Sequence, residues 1–239
     1  MKKLLVLLFA LPLFALAQNS NVISIDRYFP IAGKVQQFEK ALATHAQKYH
    51  KGDLRWLVLT IETGPDAGGY QIVEGPKTWD SADKRGDLGK AHTDDWNSSV
   101  QPLLSDRVSF SYMTFRPDLS SVALTDYAEK IAINHVFYKP GYYDEMQEML
   151  IKMKKVWEQS KQSIAVYESS SSGEPQFAVV TRYKEGLKER ETGFREAFPV
   201  RYKKAHGQEG WDKYVAGVKE MVSHQWSELL FVKRDLGSQ

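Results

Sequence analysis

Apolar positions in this chain alternate with polar ones, then recur every three or four residues, then alternate again, and the cycle runs twice. In "NVISIDRYF", Ile23 and Ile25 fall on one side and Ser24 and Asp26 on the other, the period of a half-buried strand. Pro30 and Gly33 interrupt it. Val35, Phe38, Leu42, His45 and Tyr49 follow at helical spacing. "LRWLVLTIE" predicts a strand, "TGPDAGG" a turn, and "YQIVE" the returning arm of a hairpin. A polar, helix-compatible stretch runs from Thr78 towards Val100, and "VSFSYMTFRPDL" closes the first cycle as a strand.

The second cycle keeps the order. "KIAINHVFY" predicts a strand ended by Pro140 and Gly141, and Tyr143, Met146, Leu150, Met153 and Trp157 form one helical stripe. "SIAVYES" and "PQFAVVTRY" flank the turn-rich "SSSSGE". A long helical region then carries Trp211, Val215, Val218 and Val222 on one face, and "WSELLFVKRDL" closes the half. Aligning Gly33 with Gly141 sets Phe29 on Phe137, Ile25 on Ile133 and Asp26 on Asn134, and "TFRPDL" on "FVKRDL". The phrase Lys-Ala-His, at Lys90–His92 and again at Lys204–His206, is expected to mark where a helix enters against the sheet.

Each half therefore reads β-α-β-β-α-β, a ferredoxin-like order, and the fold class is α+β. The strands are apolar on both faces: Trp56 and Val58 oppose Leu57 and Leu59. Helices cover one face, and the other half's sheet covers the second. The expected architecture is two tandem ferredoxin-like repeats packed sheet to sheet as an intrachain eight-stranded barrel. The repeats span residues 18–124 and 125–239, with a short polar bridge at Thr125–Glu129. The alternative is two separate domains, each dimerising with another molecule, so both a monomer with an internal pseudo-dimer and a homo-oligomer stay open.

The first residues stand apart from this pattern. Lys2 and Lys3, the apolar run Leu4–Leu16 and the Ala15-Leu16-Ala17 cleavage signal have the layout of a secretory signal peptide over residues 1–17. The run is short for a membrane span, so the mature chain is expected to be periplasmic or secreted, with no span after processing. Loss of Lys2 and Lys3 brings the 32 basic residues level with the 30 acidic ones, and nothing resembles the basic stripe a nucleic-acid partner requires. Cysteine is absent, which excludes disulfides, thiol catalysis and zinc–thiolate sites.

Candidate chemistry is sparse. His92 and Trp96, four apart, share a helix face; they either line a pocket or pack at the helix entrance. Tyr28 and other strand aromatics are either ordinary core or the lining of a cavity for a small aromatic or apolar ligand. Lys90 and Lys204 either meet an anionic ligand or are solvated. His45 and His50 are five apart, on different faces of a continuous helix, and no metal-binding phrase is present, so no metal site is expected. Nucleophile-elbow, phosphate-loop and dinucleotide motifs are missing.

Through "IVEGPKTWDSADKRGDLGKAH" and the strand–Pro/Gly–helix openings of both halves, the chain resembles the dimeric α/β-barrel superfamily, especially its antibiotic-biosynthesis-monooxygenase-like and NIPSNAP-like branches. The resemblance covers the mature chain. It implies a pocket between sheet and helices lined by a Trp after the third strand and a His on the second helix; Trp79 and His92 match these and are the candidate catalytic pair. Haem-degrading members add an Asn on the first strand, matched by Asn134 in the other half. Chlorite-dismutase-like haem proteins are similar tandem repeats whose haem-ligating His lies in the C-terminal repeat, where His206 and His224 are the candidates. Candidate ligand-binding residues are thus Asn134, Tyr28, Trp96 and His206, with haem a cofactor candidate lacking a full motif. Three readings follow: an exported small-molecule-binding protein without derivable activity, a cofactor-independent monooxygenase or haem-handling enzyme, and an oligomerisation module of the cell envelope.

Overall fold

The computed structural model describes residues 20–239. The expected signal peptide, residues 1–17, lies outside the described residues. The first half runs β1 (Val22–Pro30), α1 (Val35–Tyr49), β2 (Trp56–Ile61), β3 (Tyr70–Lys77), α2 (Trp79–Asp83), α3 (Lys90–Asp95) and β4 (Leu104–Phe115). The second runs β5 (Lys130–Tyr138), α4 (Tyr143–Gln159), β6 (Ile164–Ser170), β7 (Gln176–Arg182), α5 (Phe198–Met221) and β8 (Val222–Val232).

All eight strands join one closed barrel in the order β1-β3-β2-β8-β5-β7-β6-β4. Each half supplies a four-stranded antiparallel sheet, and the two meet where β2 pairs β8 and β4 pairs β6. The expected sheet-to-sheet packing is thus a closure in which the edge strands also hydrogen-bond, leaving no free sheet edge. The pseudo-twofold is visible in single bonds. Arg116 N donates to Val166 O at 2.9 Å, and Lys233 N to Val58 O at 2.8 Å. Phe115 N donates to Asn21 O at 2.8 Å, and Val232 N to Glu129 O at 2.9 Å. Because β2–β8 and β4–β6 form within one chain, separate domains are not needed to satisfy either sheet.

The alternation of the strands sorts the core. Ile23, Leu59, Met113, Ile133, Val180 and Leu230 fill the barrel. On the outer face Phe38, Leu42 and Ala46 of α1 cover Trp56, Val58 and Ile72. Met146, Leu150 and Trp157 of α4 do the same over Val136, Val166 and Val179. Each buried side chain of this size contributes about 1.5–3 kcal/mol. An ion pair ties the halves together inside the barrel: Arg27 of β1 bonds Glu228 of β8, which also accepts from His135 Nε2 at 2.8 Å. Among the described residues no helix is long and apolar enough to cross a membrane.

Three expectations change. The stretch from Thr78 to Val100 is not one helix. Thr78 caps the short α2 by accepting from Ser81 N at 3.0 Å, the chain turns through Gly86 and Gly89, and α3 passes into a π-helical turn at Trp96–Val100. The two Lys-Ala-His phrases are also not equivalent. The first opens α3 after Gly89 (φ 95°, ψ 164°), whereas the second closes a helical segment before Gly207 (φ 75°, ψ 176°), where α5 is broken. The matching residues are the glycines, which alone enter this backbone region without strain. Val222, expected on a helix face, begins β8.

Candidate functional site

Ser24, Asp26 and Tyr28 alternate along β1, so all three side chains leave the barrel and point towards the helices. There they line a cavity of about 290 Å³ together with Trp56, Glu74, Lys77, Arg85, His92, Trp96 and Tyr112. Tyr28 and Trp96 pack with ring centroids 5.3 Å apart. The floor is charged. Glu74, only 2 % exposed, accepts from Lys77 Nζ at 2.7 Å, Arg85 Nε at 2.9 Å and Trp56 Nε1 at 3.0 Å. Lys77, equally buried, also donates to Ser24 Oγ at 3.1 Å.

These contacts push the carboxyls in opposite directions. Burial raises Glu74, but the neighbouring His50, Arg85 and Lys77 outweigh it and hold the group well below the usual carboxylate range. Asp26 has no such set of donors. Burial raises it to about 6; the Tyr28 hydroxyl, 3.3 Å away, opposes this, the Glu74 charge adds to it, and Arg85 and Lys77 subtract. Burial and the neighbouring Asp26 together push the Tyr28 hydroxyl above the ordinary phenol value. Asp26 is thus a carboxyl that changes charge close to neutrality within an aromatic wall, the environment expected of a general base.

Behind the cavity three imidazoles meet. His45 projects from α1 and is wholly buried, as is His50, the residue that caps the helix. His50 stacks on Trp56 with centroids 3.4 Å apart. His92 comes from α3 and places Nε2 3.3 Å from His50 Nε2. His45 Nδ1 bonds Asp95 Oδ2 at 2.8 Å, and His50 Nδ1 stands 3.6 Å from Glu74 Oε2. Burial holds all three rings below the ordinary imidazole value. The expectation of no metal site rested on helical spacing. That spacing does not apply, because His50 has left the helix when its backbone turns extended.

The structure brings Tyr28, His92 and Trp96 to one cavity. Trp79 stands outside its lining, 47 % exposed, with its ring 5.3 Å from that of Tyr112. Asn134 lines a separate cavity of about 390 Å³ in the second half. His206 lies in a groove between α4 and α5, with Nε2 bonded to the Lys152 carbonyl at 2.8 Å. His224 is exposed and stacked on Phe137 at 4.2 Å.

This arrangement does not fit haem. His206 Nε2 must carry a proton to serve a carbonyl, and its groove is lined by Glu145, Glu148 and Glu209, poor company for an apolar macrocycle. His92 faces a cavity whose lining holds the buried Glu74–Lys77–Arg85 cluster, equally poor company for that macrocycle. Sequence reading missed Glu74, Lys77, Arg85 and the joined histidines. It did place Asp26 on the face opposite the barrel core.

No protein-family model matches the sequence, and no curated protein matches it. Solved structures match in shape. A candidate monooxygenase from Lactobacillus acidophilus NCFM aligns with TM-score 0.54 at 10 % identity, over 92 % of this chain and 96 % of that one. An anthrone oxidase-like protein aligns with TM-score 0.54 at 12 % identity, over 91 % and 93 %. A mutant chlorite dismutase from Candidatus Nitrospira defluvii aligns with TM-score 0.54 at 8 % identity, over 90 % and 92 %. At these identities the likeness is one of fold, and the fold is that of the dimeric α/β-barrel proteins.

Proposed function

For a dimeric α/β-barrel chain whose first half encloses a charged, aromatic-walled cavity, we propose an enzyme that binds a small planar aromatic molecule there and removes a proton from it with the Asp26 carboxylate. The observation that carries this reading is Asp26 itself, a largely buried carboxyl at about 6 with no cation bound directly to it. A base tuned close to the working pH combines the right protonation state with useful driving force. Tyr28, Trp56, Trp96 and Tyr112 put aromatic rings in the lining, suited to a flat ligand. Arg85, at the wall, supplies positive charge to the anion that proton loss creates. The step yields the aromatic anion and a neutral Asp26. Anthrone, the compound in one structural neighbour's name, is an acid of this class. The monooxygenase reading of the sequence would start from such an anion, with dioxygen as the oxidant.

Exchange of the acidic C–H of anthrone for deuterium, followed by NMR in D2O under nitrogen, tests the base directly. The wild type should accelerate exchange, and Asp26→Asn should reduce that acceleration by about 10²–10⁴-fold. Ligand binding seen as tryptophan quenching, with no accelerated exchange, supports the binding-only reading instead. Absence of both sinks the cavity as a ligand site.

A further inference from the structure

The structure assigns a divalent transition-metal site to His45, His50 and His92, on the wall of the same cavity. One ring nitrogen from each lies within 4.8 Å of the others. The His50–His92 pair is already placed: Nε2 to Nε2 is 3.3 Å. Metal–nitrogen bonds of about 2.0–2.1 Å in a tetrahedron set neighbouring ligand nitrogens about 3.3 Å apart, so this contact spans one edge of such a site.

The remaining atoms agree. Asp95 accepts from His45 Nδ1 at 2.8 Å, which fixes the proton there and leaves the lone pair on Nε2. That Nε2 is buried without a hydrogen-bond partner. His50 repeats the layout, with Nδ1 directed to Glu74 at 3.6 Å and Nε2 to His92. A carboxylate behind an imidazole is the usual support of a metal-bound histidine. Among the described residues, the buried side-chain nitrogens and oxygens left without a partner are His45 Nε2 and His50 Nδ1, both in this cluster. A bound cation satisfies the first and draws the second towards Glu74. Three imidazoles and no thiolate suit Zn²⁺ and its neighbours in the first row. His92 is half-buried and lines the cavity, so the remaining coordination position opens on the ligand space, the arrangement of catalytic rather than structural zinc.

Untagged protein stripped with a chelator is titrated with Zn²⁺ by calorimetry and with Co²⁺ by visible absorption. One metal per chain and the intense bands of tetrahedral Co²⁺ are expected. His92→Ala, at a half-buried position, should weaken binding by about 100-fold or more, and Asp95→Asn by about 10–100-fold. No saturable binding in the wild type overturns the site. So does unchanged affinity in a folded His92→Ala protein or, if that variant does not fold, in Asp95→Asn. None of these readouts involves a substrate, so this site and the Asp26 reading fail independently.

Discussion

Asp26 on β1 and Asn134 on β5 occupy equivalent places. Their neighbours Ile25 and Ile133 pair with Val73 and Val180 on one side and with Ser111 and Glu228 on the other. Carried along the strands, this register sets Ser24 on Ala132, Glu74 on Thr181 and Trp56 on Ile164. Aligned by Gly33 and Gly141, His45 falls on Met153; aligned by Gly89 and Gly207, Trp96 falls on Tyr214. The second half builds a cavity in the same position, lined by Ala132, Asn134, Met153, Ile164, Thr181 and Tyr214. At these matched positions one β-α-β-β-α-β unit carries neutral side chains, with Arg190, Arg201 and Glu228 elsewhere in its lining, and the other a buried Glu–Lys–Arg cluster, a poised Asp and three histidines. Since the fold forms without the charged set, and burying charges usually costs more than apolar packing in their place, the first half's equipment is better explained by chemistry than by folding.

The sharpest way to break this comparison is to copy the second half's residue into the first. Glu74→Thr installs the Thr181 side chain and leaves Lys77, 3 % exposed, with only Ser24 as partner. An uncompensated buried charge of this kind costs about 3–5 kcal/mol. Urea denaturation should show that loss, while Thr181→Ser stays within about 1 kcal/mol. A loss below about 1 kcal/mol in Glu74→Thr would mean that the cluster is not buried as described.

Asp26→Asn copies Asn134 and has the opposite sign. The folded group sits at about 6 against an ordinary 3.8, so the fold disfavours its ionised form. The resulting penalty is complete above pH 6, shrinks as pH falls through the folded value, and is gone below the ordinary one. Tyr28 on β1, Glu74 and Lys77 on β3 and Arg85 beyond α2 are the groups facing it; Tyr28 and Arg85 titrate above that window and Glu74 below it. Asp26→Asn should therefore stabilise the protein at pH 8 by up to about 3 kcal/mol, and the gain should vanish near pH 4. Thermal melts across that range measure it; a gain that persists in acid would refute the shifted carboxyl.

Much of this was legible before any coordinates. The period-two runs located every strand to within a few residues, and the Gly33–Gly141 alignment set the pseudo-twofold, because strand alternation and turn glycines are local properties of the chain. Tyr28, Trp96 and His92 were within reach for the same reason. The charged floor was not. Glu74 and Lys77 lie three apart in a strand, where side-chain directions alternate, and nothing local shows that the register shift between them and the turn to α2 bring Lys77 and Arg85 back onto Glu74. The histidines were hidden by the assumption that α1 continues through His50. Trp79, read by resemblance as a pocket residue, illustrates the reverse case: α2 starts at Trp79 and leaves its ring at the rim.

The smallest expected effect tests whether the two halves were aligned by the right residues. If Lys-Ala-His were the shared signal, substitutions at His92 and His206 should behave alike, yet one ring meets His50 and the other the Lys152 carbonyl. If the glycines are the shared signal, Gly89→Ala and Gly207→Ala should cost the same. At both positions an added Cβ meets no atom within 4 Å, so packing contributes nothing and only the backbone conformation is penalised. That region is essentially restricted to glycine, and each substitution should lose about 1–3 kcal/mol in urea denaturation. Equal losses support the alignment of α3 with the second segment of α5, and with it the pairing of Trp96 with Tyr214. A loss at Gly89 with none at Gly207 would leave the broken α5 as a feature of the second half alone, and the two cavities would then share their sheet floors but not their helical walls.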